Sequence, residues 1–228
     1  LPINESVGWR VCALGNYEVN EITILQQLIK PQDICVDIGA NAGLYAVLMA
    51  KAACHGRVMA FEPVPLYKHI LNLNIALNNL SNVVLHDYAL SDSIGEIEMS
   101  VSKDGSYSSM KSTGRKEEAR KIFIHTHTLD ELFVPSNTAA NIIKIDVEGA
   151  ELLVLRGGSR LLASPQLRPR ALLVELSEVN QAAYEYAPQD AVDFMKQYGY
   201  TVYSPTRKGI RKGWPVDKGS EEALFLLD

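Results

Sequence analysis

The chain has 228 residues, with 22 Lys+Arg against 27 Asp+Glu and a formal net charge of −5. Its 47% hydrophobic and 21% charged types exclude wholesale disorder and a fibrous protein. The acidic total argues against a main task of gripping phosphate backbones, while leaving room for a local basic patch. A chain this long buries enough surface to need no disulfide or metal staple. Cys12, Cys35 and Cys54 form no CxxC pair and are read as reduced packing residues, which points to a cytoplasmic location. No apolar run reaches the roughly 18–20 residues of a membrane span, and no charged-then-apolar signal opens the given sequence. The chain opens on Leu1, consistent with a missing N-terminus.

Residues 1–30 read as a helical lead-in, with Ile22, Leu25, Leu28 and Ile29 apolar. From there residues 31–228 are expected to form a single domain in which β-branched runs alternate with helical patterns. Ile34–Ile38 is a near-continuous apolar run stopped by Gly39, as a strand buried on both faces requires. Ala42–Ala53 follows as a helix, with Asn41 its expected N-cap. Arg57–Glu62 is the second strand. The helix after Pro63 and Pro65 carries Leu66, Ile70, Leu73 and Leu77 at 4-3-4 spacing, the face expected to be buried. Asn82–Asp87 is the third strand, and Glu96–Val101 with Ile122–His127 reads as an antiparallel pair. Asn141–Asp146 is the fourth core strand, with one helix expected over Gly149–Ala163. Ala171–Glu175 is the fifth strand, ahead of a helix bearing Ala191, Phe194, Met195 and Tyr198. Thr201–Ser204 and Ala223–Leu227 close the chain as a hairpin. Two long connections interrupt this order: 102–121, with Tyr107 and Met110, and the basic 204–220, with Arg207, Lys208, Arg211, Lys212 and Lys218. Both are candidate lids or substrate loops, or plain solvated loops.

The strongest local signal is Asp37-Ile-Gly-Ala-Asn-Ala-Gly43, which closes one strand and opens a helix. Gly39 and Gly43 let the backbone pass close to a ligand. Glu62 ends the next strand 23 residues after Gly39, where a carboxylate accepts both hydroxyls of a ribose. The turn is not GxGxxG: Asn41 and Leu44 stand at the wrong places, and no GK[ST] follows. A pyrophosphate is therefore disfavoured, whereas carboxylates suit the sulfonium and ammonium groups of S-adenosylmethionine.

Asp37–Gly43, Phe61-Glu-Pro63, Ala89-Leu-Ser-Asp92, Ile143-Lys-Ile-Asp-Val-Glu-Gly-Ala-Glu151 and Leu155-Arg-Gly157 together resemble the FkbM-type methyltransferases, over roughly residues 33 to 177. The resemblance implies a Rossmann-like class I fold: a seven-stranded, mostly parallel sheet with helices on both faces and a C-terminal antiparallel hairpin. It also implies S-adenosylmethionine as cofactor and transfer to a hydroxyl of a small molecule, sugar or natural product. By motif position Asp37, Gly39 and Asn41, with Gly43 behind them, would line the methionine end, and Glu62 followed by Pro63 would hold the ribose. Asp87, Tyr88 and Ala89 would flank the adenine, and Asp146 would border the cofactor.

Asp146, Glu148 and Glu175 are the candidate catalytic carboxylates, because each falls at or just beyond a strand's carboxyl end, where an open sheet binds ligands. Glu148 and Glu151 equally suit a helix N-terminus, and an acid as buried as Glu175 needs a partner. His125 and His127 share a strand face, and Asp146 with Glu148 could add oxygens, but no second cluster supports a metal, and none is expected. His69 and His86 read as ordinary residues. Trp214, beside Arg211 and Lys212, is placed to stack on a sugar or hold an acidic acceptor, or to sit in a solvated hairpin. The expected partner is a small-molecule or glycan acceptor, with no nucleic acid and no membrane. The rival readings are a nicotinamide-dependent oxidoreductase, a non-catalytic binding module, and a nucleic-acid methyltransferase. An NPPY-type motif for the last is absent.

Overall fold

A computed structural model describes residues 18–102, 108–109, 118–215 and 221–227. Cys12, Tyr107, Met110 and Lys218 lie outside the described residues. The lead-in contributes helix α1 (Val19–Leu28), which buries Ile24 and Leu25 while Ile22 and Leu28 stay half-buried. Strand β1 (Ile34–Ile38) falls where the apolar run placed it. Helix α2 (Leu44–Ala52) starts two residues later than expected, with Gly43 rather than Asn41 at its N-cap. The reason is local. Asn41 and Gly43 both take left-handed φ values, 49° and 91°, so the chain makes an extra turn before it can propagate a helix. A Cβ on Gly43 would sit 2.1 Å from Leu71 Cδ1, so packing as well as conformation demands glycine there.

Strand β2 (Arg57–Phe61) leads to helix α3 (Pro65–Leu77). Here the expected buried face is wrong. Leu66, Leu73 and Leu77 are 47%, 50% and 78% exposed, whereas Tyr67 and Leu71 are sealed. The helix is anchored by Val64 and Tyr67 on one side and by Leu71 on the other, each in a different core cluster. That geometry turns the three leucines of the 4-3-4 stripe outward, while its Ile70 stays half-buried against the cluster of Val64 and Tyr67. Strands β3 (Val83–His86), β4 (Ala89–Leu90), β5 (Gly95–Ser102), β6 (Ser108–Ser109) and β7 (Glu118–His127) follow. The expected antiparallel pairing of β5 with β7 holds, Ile97 opposite Ile124.

After helix α4 (Leu129–Phe133) come β8 (Ile142–Ile145), α5 (Glu151–Arg156) and α6 (Ser159–Ala163). The single helix expected over 149–163 is thus two, broken at Gly157-Gly158. A Cβ on Gly157 would lie 2.0 Å from the Ser91 carbonyl oxygen, and the Asp130 carboxylate caps α6 by accepting from the Arg160 and Leu161 amides at 3.0 and 2.8 Å. The chain ends with β9 (Ala171–Glu175), α7 (Glu178–Ala182), α8 (Pro188–Lys196), β10 (Tyr200–Thr206), β11 (Gly209–Lys212) and β12 (Glu222–Leu227). The basic connection 204–220 therefore contains a strand of its own.

The described strands form an eight-stranded sheet, ordered β3-β2-β1-β8-β9-β12-β10-β11, and a four-stranded one, β4-β7-β5-β6. In the large sheet β3, β2, β1, β8 and β9 are parallel, and β12 runs antiparallel between β9 and β10. The expected seven strands are present, with β11 added at the edge. One face packs Val36, Ile143, Ile145 and Leu172 under α5, α6 and α8; the other packs Cys35, Val58 and Leu173 under α1 and α2. Strand order reverses between β1 and β8, which opens a crevice beyond their carboxyl ends. To check the corrected face of α3, Leu71→Ala should lower unfolding free energy by about 2–5 kcal/mol in urea. Leu73→Ala should stay within about 0.5 kcal/mol; equal losses would contradict this orientation.

Candidate active site

The crevice is built on the turn after β1. The Gly39 and Ala40 amides both donate to the Phe61 carbonyl, at 3.1 and 3.0 Å, which ties the turn to β2. On the other side a Cβ at Gly39 would lie 1.8 Å from the Asp146 carbonyl oxygen. The turn therefore lies directly against the end of β8, an approach only glycine allows. Glu62 closes this arrangement. One carboxylate oxygen accepts from the Asn41 amide and the other from the Val64 amide, both at 2.8 Å, and the residue is 5% exposed. Burial pushes its pKa up to about 7 against the pull of those two amides, with Asp37 and Asp146 adding repulsion. Each oxygen keeps a second lone pair, so the clamp leaves acceptor capacity for a diol.

Asp37 is fully buried, and neither of its oxygens makes a hydrogen bond of normal geometry. Burial raises its pKa to about 6; Lys144 lowers it and Asp146 raises it further. Lys144 sits opposite Asp37 in the β1–β8 register, donates from Nζ to Asp146 Oδ2 at 2.7 Å, and lies 4.7 Å over the Tyr45 ring. Burial alone would strip this ammonium of its proton, but Asp146, Asp37 and Glu18 outweigh it and hold the charge. The Asp146 side chain is 29% exposed, against 4% for Lys144, so Asp146 is the member of the pair that reaches the crevice surface.

The remaining acids separate into two kinds. Glu151 is 1% exposed and spoken for: it accepts from the Val147, Gly149 and Gln181 N–H groups at 3.0–3.1 Å and so shapes the turn after β8. Glu148 takes a left-handed φ of 56° and accepts from Asn180 Nδ2 at 2.8 Å. Glu175 ends β9 with Oε2 buried and without a hydrogen bond. Burial, then Asp146, Glu148 and Glu222, raises its pKa well above the carboxylate range. Glu222, directly across from it on β12, is raised in the same way by burial and Asp146. Like charges facing each other across an antiparallel pair destabilise it unless one takes a proton or a cation intervenes.

The adenine-flanking stretch lies beyond β2 and β3. Asp87 is exposed and pairs with Lys68 at 3.0 Å, which lowers its pKa. Tyr88 packs its ring against His127, His86 and Phe61 at 4.2, 5.3 and 5.6 Å, and Ala89 is buried on β4. Pro63 is half-buried between Glu62 and Val64. The two strand histidines have their own partners: His127 Nδ1 lies 2.9 Å from Glu131 and His125 Nδ1 3.9 Å from Glu96. Among the described residues no group of three or more His, Cys, Asp or Glu is arranged to hold a metal.

Sequence reasoning missed Lys144 and Glu222. Lys144 had a readable signal, since a lysine inside Ile142-Ile-Lys-Ile145 must be buried and needs a nearby acid. Glu222 had none, because only the β9–β12 register brings it opposite Glu175.

A parallel sheet in the order 3-2-1, then 8-9, closed by an antiparallel strand, with an acid-rimmed glycine turn at the switch point, defines the class I methyltransferase fold. Residues 37–202 match the Methyltransferase FkbM domain, and the chain belongs to that family. It is 31% identical over 157 residues to the hexuronic acid methyltransferase AglP of Haloferax volcanii, covering 68% of this chain and 62% of that protein. Its matches span 57–62% of the curated relatives' length. A SAM-dependent O-methyltransferase from Thermotoga maritima shares the fold at 12% identity, with a TM-score of 0.52 over 98% of this chain and 71% of that one. An rRNA methylase from Streptococcus thermophilus does so at 12% identity and 0.51, over 91% and 95%. No helix among the described residues is long and apolar enough to cross a membrane.

The raised pKa of Asp37 has a consequence for stability. Folding favours its protonated form, so its contribution is complete below the ordinary aspartate value of 3.8 and is lost as pH rises through about 6. Asp37→Asn should therefore stabilise the ligand-free chain at pH 8 by on the order of 1–3 kcal/mol and change little at pH 4, read by urea denaturation. A loss of stability at pH 8 would mean that Lys144 depends on Asp37 rather than on Asp146.

Proposed function

We propose that the chain is an S-adenosylmethionine-dependent methyltransferase that acts on an oxygen of a small molecule or sugar. The observation that carries this is the charge of the crevice: Asp37, Asp146, Glu175 and Glu222 gather around one lysine, Lys144, with Asp37 fully buried and only partly compensated. Such a site is unfavourable when empty and is relieved by a ligand that carries positive charge but no phosphate. The residues fit the cofactor. Asp37 and the Gly39 turn would hold its amino-acid end, and Glu62 its ribose through the lone pairs left free by Asn41 and Val64. The aromatic cluster around Tyr88 would border its base. Bound there, the cofactor supplies an electrophilic methyl group on a sulfonium.

The protein's own part is positioning, exclusion of water and removal of one proton from the acceptor hydroxyl. Asp146, at the crevice surface and held by Lys144, is suited to orient that hydroxyl. Glu175, whose pKa is raised by burial and by its acidic neighbours, would in its deprotonated form be a stronger base than an ordinary carboxylate and is suited to take that proton. Glu148, which accepts from Asn180, is suited to steer the acceptor. The acceptor class draws support from the relative named for hexuronic acid. The fold alone does not name the acceptor, since an O-methyltransferase and an rRNA methylase share it.

A nicotinamide oxidoreductase is disfavoured by the same observation, because a dinucleotide would bring its pyrophosphate beside several buried carboxylates. Thermal shifts with S-adenosylmethionine, S-adenosylhomocysteine and NAD separate the two. The first two ligands at 100 times their dissociation constants should stabilise by about 2.7 kcal/mol, with no shift from NAD. Glu62→Ala should weaken both by at least about tenfold. A shift with NAD alone would overturn the proposal.

A further inference from the structure

The basic connection has no role in the crevice just described, yet it forms a definite shape. Strands β10 and β11 make a hairpin whose turn is pinned from within. Thr206 Oγ1 donates to the Gly209 carbonyl at 2.8 Å, and Ser204 Oγ donates to the Gly213 carbonyl at 2.9 Å. Between this hairpin and the first turn of α1 lies a cleft of about 680 Å³, lined by Arg207, Lys208 and Arg211 with Ser204, Thr206 and Glu21. Among the described residues none of the three cations is in an ion pair. The stretch 203–212 contains four cations and no acid, in a chain of net charge −5.

The cleft's position matters as much as its charge. Strand β10 is antiparallel to β12, which is antiparallel to β9, so β10 ends at the same rim as β1, β8 and β9. Glu21, on the cleft wall, is close enough to Glu222 to raise its pKa, so the basic cleft borders the acidic crevice. Cations on an edge strand also guard against strand addition. That need is met by β11 itself and does not account for Arg207 and Lys208, which lie in the turn off the ladder.

We infer that this cleft is an acceptor subsite that binds an oxyanion, a carboxylate or phosphate carried by the methyl acceptor, through Arg207, Lys208 and Arg211. This rests on the methyltransferase reading for the word acceptor, but not for the binding itself. An anionic acceptor would be repelled from the acidic crevice unless its charge were held apart, and the hairpin does that while directing the uncharged hydroxyl end inward. A nucleic-acid track is the weaker occupant, because three cations beside Glu21 give a short footprint next to a surface that repels phosphates.

The test is an NMR titration of the full chain, following hairpin amides 204–213, with D-glucuronate, D-glucose 6-phosphate and D-glucose as probes, with and without S-adenosylhomocysteine. At least one anion should bind at least about tenfold more tightly than glucose. The Arg207→Ala/Arg211→Ala double variant should lose that preference while keeping its affinity for S-adenosylhomocysteine. Which anion is preferred identifies the carboxylate or the phosphate. Equal binding of all three sugars, or a preference that survives in the double variant, overturns the inference. So does binding of a single-stranded RNA that the double variant abolishes while neither anion is favoured. Failure of S-adenosylhomocysteine to bind would count against the methyltransferase reading alone, since the anion titration without it still reports on the cleft.

Discussion

The site is organised by one buried ammonium. Lys144 lies inside the sheet, beneath the reversal between β1 and β8, with Asp146 hydrogen-bonded to it and Asp37 across the strand register. A lone lysine there would lose its proton, and a lone Asp37 carboxylate would gain one. Together they keep charge where an apolar strand core would normally exclude it. The register that sets Asp37 opposite Lys144 also lays Gly39 against the Asp146 carbonyl, so the ligand turn and the charge pair are fixed by the same strand contact.

Around that pair the charge is unbalanced. Asp37 is only partly compensated, and Glu175 and Glu222 face each other further along the rim. Glu62 has two tasks, since it clamps Asn41 and Val64 and still presents free lone pairs. Its clamp shapes the turn before any ligand arrives, which reduces the ordering cost of binding. The structure thus carries its electrostatic strain in the crevice, where the proposed cationic ligand would relieve it, and not in the cores on either side of the sheet.

Much of this was legible in the sequence, for identifiable reasons. Strands β1 and β9 have the bounds that near-continuous apolar runs predict, because a strand buried on both faces stays apolar along most of its length. Helix boundaries were less legible where glycine or asparagine takes a left-handed φ, as at Asn41 and Gly43, or where a distant carboxylate such as Asp130 caps a second helix. The buried face of α3 was misjudged because leucine spacing records a stripe and not its direction; the deeper anchors were Tyr67 and Leu71. Glu62 and Asp37 could be placed from motif and strand ends. The Glu175–Glu222 pairing could not, because it depends on an antiparallel strand 47 residues away.

The central claim is that buried, proton-hungry carboxylates await a cationic ligand, and calorimetry of S-adenosylmethionine binding at about pH 6.5 in buffers of different ionisation enthalpy tests it most directly. A cation placed beside Asp37 lowers its raised pKa. Binding should therefore release protons, and affinity should strengthen as pH rises from about 5 to 8. Proton uptake, or binding with no proton exchange and no pH dependence, would contradict the account.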